Sequence, residues 1–434
     1  MKKFMLTFLL LLFLIPSITI GQLRKVYILS EGGFSSGSAK LSLYNISQNV
    51  FTQSIFSPGN LGLYPDGLIF YNNYLYLLEQ GSYGGQGKIY KLDTNGIVQN
   101  YSSFGTNPYS LAISNSKVYA TNGPVSKVTV LNVNDFSIVK EISVGIYPQE
   151  IIAYNNNVFI CNTSLYGGSK DSTVSVINSV TDSVIAKITV HKDPSSLAIS
   201  KDNALLIGCP GNNGKIFKVD LSTYQKLDSI SLSSGFDKDI SVDMNTGNIY
   251  YINYNNGISY CNFSTGQVTD IISNPNPSAN YFYGYNYDYT IGKHFIADAK
   301  DFTTTGSLYV YNSSGSLENT FATGIAPRRV VLNSSSSVSV RQISEVVSGF
   351  KLYQNYPNPF NPSTVVKFSL PKTDFVNLIV YDITGKEVSK LLNEIKKAGT
   401  YEITFSGEKL SSGVYFYRIS TSSYSDIKRM ILVK

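Results

Sequence analysis

Tryptophan is missing from this 434-residue chain, histidine occurs only twice and cysteine three times. Each scarcity removes a class of chemistry. Cys161, Cys209 and Cys261 show no CxxC spacing and have no histidine beside them, which argues against a zinc site. Their odd number leaves at least one thiol unpaired, and all three read as small buried hydrophobes. His191 lies in a turn before Asp193-Pro194 and is expected to be solvated. His294 begins a strand where other repeats carry Val or Leu, and is expected to be half-buried and hydrogen-bonded. They fall in different repeats, so a shared site is not expected. No P-loop, HExxH, GxSxG or EF-hand loop is present.

Charge is scarce as well, at 15% of residues. The net charge of +6 belongs to the two ends, because residues 22–350 hold 21 Lys and Arg against 22 Asp and Glu. Such a body has no electrostatic footprint for nucleic acid. Long apolar runs are absent apart from residues 4–15, which follow Lys2 and Lys3 and end at Pro16. Small residues lead up to Gly21 and Gln22. This is the pattern of a secretory signal peptide (residues 1–21) cut between those two residues. The run is short for a membrane span, and no transmembrane segment is expected in the mature protein.

Tyrosine, by contrast, occurs 33 times, alongside abundant Asn, Ser and Gly. The middle of the chain repeats. Its anchors are Pro65, Pro108, Pro148, Pro194, Asp239 and Pro327. Their spacing of about 40–45 residues, with one double gap covering a degenerate repeat near Tyr283, is that of a β-propeller with four strands per blade. The chain starts at a second strand (26–30) and finishes with a lone first strand (330–333). These should pair, completing a blade from both ends and removing an open edge. Residues 22–333 therefore read as seven blades, with six or eight left open, since the sixth and seventh repeats match least well. Tyr119-Ala120-Thr121-Asn122 is similar to the Tyr-Val-Thr-Asn signature of YVTN-type propeller repeats, which implies fold far more than function.

Aligning the second strands gives two columns. Tyr27, Tyr76, Tyr119, Phe159, Leu206, Tyr250 and Phe295 suit packing between blades. Three residues later come Ser30, Glu79, Asn122, Asn162, Cys209, Asn253 and Asp298. Two readings of this column stay open: a polar ring at one mouth of the channel, or side chains that satisfy the backbone of nearby turns. Glu79 and Asp298 offer oxygen ligands suited to Ca²⁺ rather than Zn²⁺, but across a channel they are poorly placed to share an ion, and no metal or cofactor is assigned. The loops after the second strands are long and rich in Gly, Ser and Tyr. Tyr83-Gly84-Gly85 and Tyr166-Gly167-Gly168 repeat one triplet, and such loops on a rigid scaffold suit recognition. Asp171-Ser172-Thr173, Asp182-Ser183-Val184 and Asp228-Ser229-Ile230 resemble the O-glycosylation triplet of Bacteroidetes.

Residues 334–350 read as a flexible linker, rich in Ser and without pattern. Residues 351–434 change character. Pro357, Pro359 and Pro362 exclude helix and central strand, and short alternating runs at 365–370, 378–381, 401–405, 414–419 and 427–433 follow. That fits a small immunoglobulin-like β-sandwich. The motif Pro357-Asn358-Pro359-Phe360, the turn from Asp382 to Gly385, Gly413 and the terminal Lys434 together resemble the type A sorting domain of the type IX secretion system. The resemblance implies passage through that machinery, removal of the domain by its sortase, and a protein that is secreted or held on the outer-membrane surface. The expected whole is a non-enzymatic exported propeller that binds a glycan or surface protein. A lactonase- or lyase-like propeller enzyme and a structural surface-layer component are the alternatives.

Overall fold

The protein is described here by a computed structural model covering residues 24–56, 64–165, 168–333, 341–344, 349–396, 398–407 and 410–434. Gly21, Gln22 and Tyr166 lie outside the described residues. No helix among the described residues is long and apolar enough to cross a membrane.

Among the described residues, nine four-stranded antiparallel sheets account for the architecture, and seven of them form the propeller. Strands a to d of each blade run outward from the centre. Blade 2 comprises Pro65–Tyr71, Tyr74–Glu79, Gly87–Leu92 and Val98–Phe104. Blades 3 to 7 begin with strands a at Pro108–Ser114, Pro148–Tyr154, Ser196–Ile199, Lys238–Val242 and Phe282–Asp288. Blade 1 is shared between the ends of the domain. Its strands b to d are Lys25–Ser30, Lys40–Asn45 and Val50–Phe56, and its strand a is Pro327–Asn333. Tyr27 pairs with Val331 and Ile28 with Val330. Each strand a contacts the next, and the last contacts the first, so the wheel is closed with seven blades.

Local chemistry explains why the chain turns where it does. Every strand c ends near an Asx side chain that accepts a backbone N–H two or three residues on. The set is Asn45, Asp93, Asn132, Asn178, Asp220, Asn262 and Asn312. This is the Asx-turn, in which a short carbonyl or carboxylate replaces a missing backbone partner. At the other end, the residue before strand a is left-handed at Tyr64, Asn107, Tyr147 and Ala326, as is Asp193 three residues ahead of strand a in blade 5, and each is followed by proline. The kink lets the chain drop from the outer strand d back to the centre.

The aromatic column packs as expected. All seven members are buried, from Tyr27 at 0% to Tyr250 at 8% exposure. Full burial of such a side chain contributes about 1.5–3 kcal/mol, so the column is a main source of inter-blade cohesion. The three cysteines are buried and unpaired.

The two remaining sheets form a sandwich. One contains Arg341–Ser344, Gly399–Ser406, Ser363–Leu370 and Lys351–Leu352, and the other Glu387–Lys396, Asp374–Tyr381, Gly413–Ser420 and Ser425–Leu432. Arg341–Ser344 thus lies within the stretch expected to be linker, yet it pairs with Thr400 to Glu402 as an edge strand. The Pro-rich motif clasps the last strand. Asn358 Oδ1 accepts the Ile431 N–H at 2.9 Å, and Phe360, 2% exposed, exchanges backbone bonds with Ile431 and Val433. Pro357 O accepts from Asn355 and Thr364 side chains, and Pro359 links the two clasping residues. Asp382 caps its turn through Thr384, Gly385 takes φ +81°, Gly413 opens a strand, and Lys434 N–H reaches Ser412 Oγ.

Candidate functional site

In each blade the b–c loop and the start of strand a emerge on the same face of the wheel. The second polar column does sit there, but it does not line a mouth. Ser30, Glu79, Asn122, Asn162, Cys209, Asn253 and Asp298 are all buried, none more than 4% exposed. Apart from Ser30, their polar atoms are committed within the fold. Asn122 Oδ1 accepts Thr106 N–H at 3.0 Å, Asn162 Oδ1 accepts Gly145 N–H at 3.1 Å, and Asp298 Oδ1 accepts Tyr281 N–H at 2.7 Å. In each case the bond pins the d–a connection that leads into the same blade. Cys209 does the same job weakly, its thiol facing the His191 carbonyl at 3.5 Å. Asn253 caps its own b–c turn through Gly257, and Glu79 accepts from Tyr90. Ser30 Oγ has no partner among the described residues. Of the two readings of this column, the geometry follows the one in which the side chains satisfy nearby backbone: an amide at this position pairs with groups that burial would otherwise leave costly. Tyr83, in contrast, is 80% exposed on its loop.

The real convergence of charge lies one position along, at the first residues of strands a. Arg328 and Arg329 come from the closing strand of blade 1. Arg328 donates to Asp239 of blade 6 at 2.9 and 3.1 Å and to the Tyr283 carbonyl of blade 7. Arg329 donates to Asp66 of blade 2 at 3.0 Å and is also hydrogen-bonded to Glu150 of blade 4. Two guanidiniums thus tie three carboxylates from alternate blades across the centre. Arg328 also lies over the Tyr283 ring and Arg329 over the Tyr109 ring, at 5.3 and 5.7 Å. The carboxylates hold both guanidiniums above their ordinary range despite burial, and burial pushes the Tyr109 and Tyr283 phenols upward. The arrangement closes the channel with the protein's own side chains.

Beside this plug, blades 6, 7 and 1 build a more open corner. Glu31 follows strand b of blade 1 and accepts from Tyr283 Oη at 3.0 Å. Burial, then the nearby Asp66 carboxylate, pushes its carboxyl up to about 7. Lys238 places its ammonium 4.6 Å from the Tyr283 ring centre and 5.5 Å from that of Tyr281. It is 3.6 Å from Asp237. Burial and the Arg328 charge lower the Lys238 ammonium, and burial raises the Asp237 carboxyl. The sequence signal was an acidic or basic residue at or within two positions of the anchors Pro65, Pro148, Asp239 and Pro327, but these residues differ from blade to blade and form no column.

His294 is fully buried rather than half-buried. Its Nδ1 lies 2.8 Å from Tyr285 Oη, within a box of Tyr250, Tyr285 and Tyr287, and its Nε2 has no partner among the described residues. Burial lowers it to about 4. His191 is exposed. In the three glycosylation-like triplets, Ser229 is exposed, whereas Asp182 is held by Lys117 and Tyr119. No group of three or more metal-ligating side chains occurs among the described residues.

Comparison with known structures agrees with the fold. The chain is similar to a quinonprotein alcohol dehydrogenase-like protein from Bacteroides thetaiotaomicron VPI-5482, with TM-score 0.58 and 15% identity over 71% of this chain and 78% of that one. It is also similar to the hydrazine synthase of Kuenenia stuttgartiensis, with TM-score 0.51 and 14% identity over 62% of this chain and 89% of that one. At such identities the likeness concerns fold alone. No curated protein matches the sequence. Residues 354–434 match the family described as the secretion system C-terminal sorting domain, so the protein carries a type IX export signal and is directed to the outer-membrane surface or the extracellular space.

Proposed function

We propose that this protein is an exported recognition module that engages a surface glycan or protein through the face bearing its b–c loops. One observation carries the reading. Six of the seven b–c loops each present a large apolar side chain to solvent: Phe34 at 87%, Tyr83 at 80%, Val125 at 43%, Leu165 at 42%, Tyr254 at 56% and Phe302 at 38% exposure. Among the described residues, only Ile97, Val180 and Met244 are comparably exposed on the opposite face, and the propeller's other exposed large apolar side chains lie on outer strands. Scattered apolar residues need no explanation, but one per loop around a single face does. Burying such side chains against a partner supplies binding energy that a solvated loop lacks. The test is retention of the full chain on cell-envelope material. Replacing Phe34 and Tyr83 together by Ala should abolish retention, while Ile97→Ala should leave it intact. Equal retention of all three proteins would refute the reading.

A propeller enzyme is the second reading, favoured by Glu31 and Lys238 being displaced in opposite directions on either side of Tyr283. Paired groups pushed apart in this way are a feature of acid–base sites. Glu31→Gln would abolish turnover in a lactone and polysaccharide cleavage screen if that reading holds, and the wild type would show none if it does not.

A further inference from the structure

We infer that the corner built by blades 6, 7 and 1 is a subsite for a neutral pyranose unit of a polysaccharide, with Tyr281 and Phe302 as its stacking floor and Lys238 and Asp237 as its hydroxyl partners. The inference rests on the recognition face proposed above and names the ligand class for one part of it.

Three rings meet at this corner. Phe302 lies 5.4 Å from Tyr281 and 4.9 Å from Tyr283, centre to centre, and Tyr281 and Tyr283 are 6.1 Å apart. Tyr283 is committed inward, to Glu31 through its hydroxyl and to Arg328 through its ring. Tyr281 and Phe302 remain partly exposed. Their rings, inclined at 50° to each other, offer apolar surface at the edge of a polar cluster, which suits a ligand with one apolar face and polar edges.

The polar part narrows the class. The Lys238 ammonium has three donors, and the one carboxylate paired with it is that of Asp237, at 3.6 Å. Its side chain is only 17% exposed, so water reaches it poorly. Ring faces and the Asp237 carboxylate offset part of its desolvation, but a single carboxylate does not engage all three donors. Asp237 accepts beside it, itself 28% exposed at the side chain. A hydroxyl is the group that accepts from an ammonium and donates to a carboxylate at once. An acidic sugar fits less well, because Asp237 already pairs with the lysine and Asp239 with Arg328, which leaves no unpaired cation here for a carboxylate. A pyranose supplies adjacent hydroxyls along its rim and C–H groups on its face, matching both halves of the corner.

The experiment is calorimetric titration of the full chain with cellohexaose, laminarihexaose, mannohexaose and xylohexaose, and with hexagalacturonate as the acidic counterpart. At least one neutral hexasaccharide should bind. Phe302→Ala and Lys238→Met should each weaken it at least about tenfold, with Ile97→Ala unchanged. Phe302 is partly solvent-exposed, so its replacement tests the site even if the lysine variant folds poorly. Binding of hexagalacturonate alone, of no sugar, or of a neutral sugar with wild-type affinity to Phe302→Ala would overturn the subsite. If binding survives Phe302→Ala but is lost on replacing Phe34 and Tyr83, the recognition face stands and this subsite falls. Failure of both sets of variants to alter binding would overturn both.

Discussion

Arg328 reaches past blade 7 to donate to both oxygens of Asp239 in blade 6, at 3.1 and 2.9 Å. The donor stands on the last strand of the propeller to be added, so the bond forms only when the wheel closes. Both groups are buried or nearly so, with side-chain exposures of 5% and 14%.

Removing Asp239 takes away the closest partner of a buried guanidinium and leaves it only the longer carboxylate contacts to Glu150 and Asp66, at 3.6 and 3.9 Å. Asp239→Ala should therefore destabilise the propeller by about 3–5 kcal/mol, more than an ordinary core truncation of that size. Denaturant unfolding followed by tyrosine fluorescence would measure it. A cost near zero would mean that the plug is solvated in solution.

Glu31 should make stability fall as pH rises. Its folded carboxyl titrates near 7, above the ordinary 4.5, so the native state holds a proton that the unfolded chain has lost. The resulting contribution is fully present below about 4.5 and is lost between there and about 7, by roughly 3 kcal/mol at most. Glu31→Gln should flatten that part of the profile in thermal scans across the range.

His294 should act in the opposite sense. Its imidazole is held neutral down to about 4, whereas the unfolded side chain takes up a proton near 6.5. Stability should therefore drop as pH falls from 6.5 toward 4. His294→Leu, which installs a residue type found at this position in other blades, should remove the acid-side drop in the same scans.

Gly284 tests closure directly. A methyl group there would lie 1.9 Å from the Arg328 carbonyl oxygen, with no flexible side chain to move aside. Gly284→Ala should force the closing strand away and yield protein susceptible to proteolysis near residue 333. Limited proteolysis against the wild type would show it.

Much of this fold was legible in sequence because the propeller is made of repeats. The proline anchors, the buried aromatic column and the split first blade each recur or complement each other at a fixed period, and the structure pairs Val26 with Leu332 accordingly. The strand Glu387–Lys396 was missed because Glu387, Lys390, Glu394 and Lys396 interrupt its alternation. Arg341–Ser344 was missed because it is a four-residue edge strand with no partner nearby in sequence. The site was less legible than the fold for a different reason. Asn122 and its equivalents repeat, and repetition marked a structural latch. Asp66, Glu150, Asp239, Arg328 and Arg329 do not repeat in type, and what joins them is proximity at the hub, which only the closed ring creates.

The order of segments along the chain gives the split blade a further meaning. Pro327–Asn333 lies upstream of the sorting domain, so a polypeptide that terminates early loses its export address before it loses its closing strand, and a shorter one loses both. A fragment unable to seal its first blade would carry an exposed strand edge, the kind that nucleates aggregation. Placing the address downstream of the seal means that only molecules equipped to complete the wheel are ever dispatched to the cell exterior.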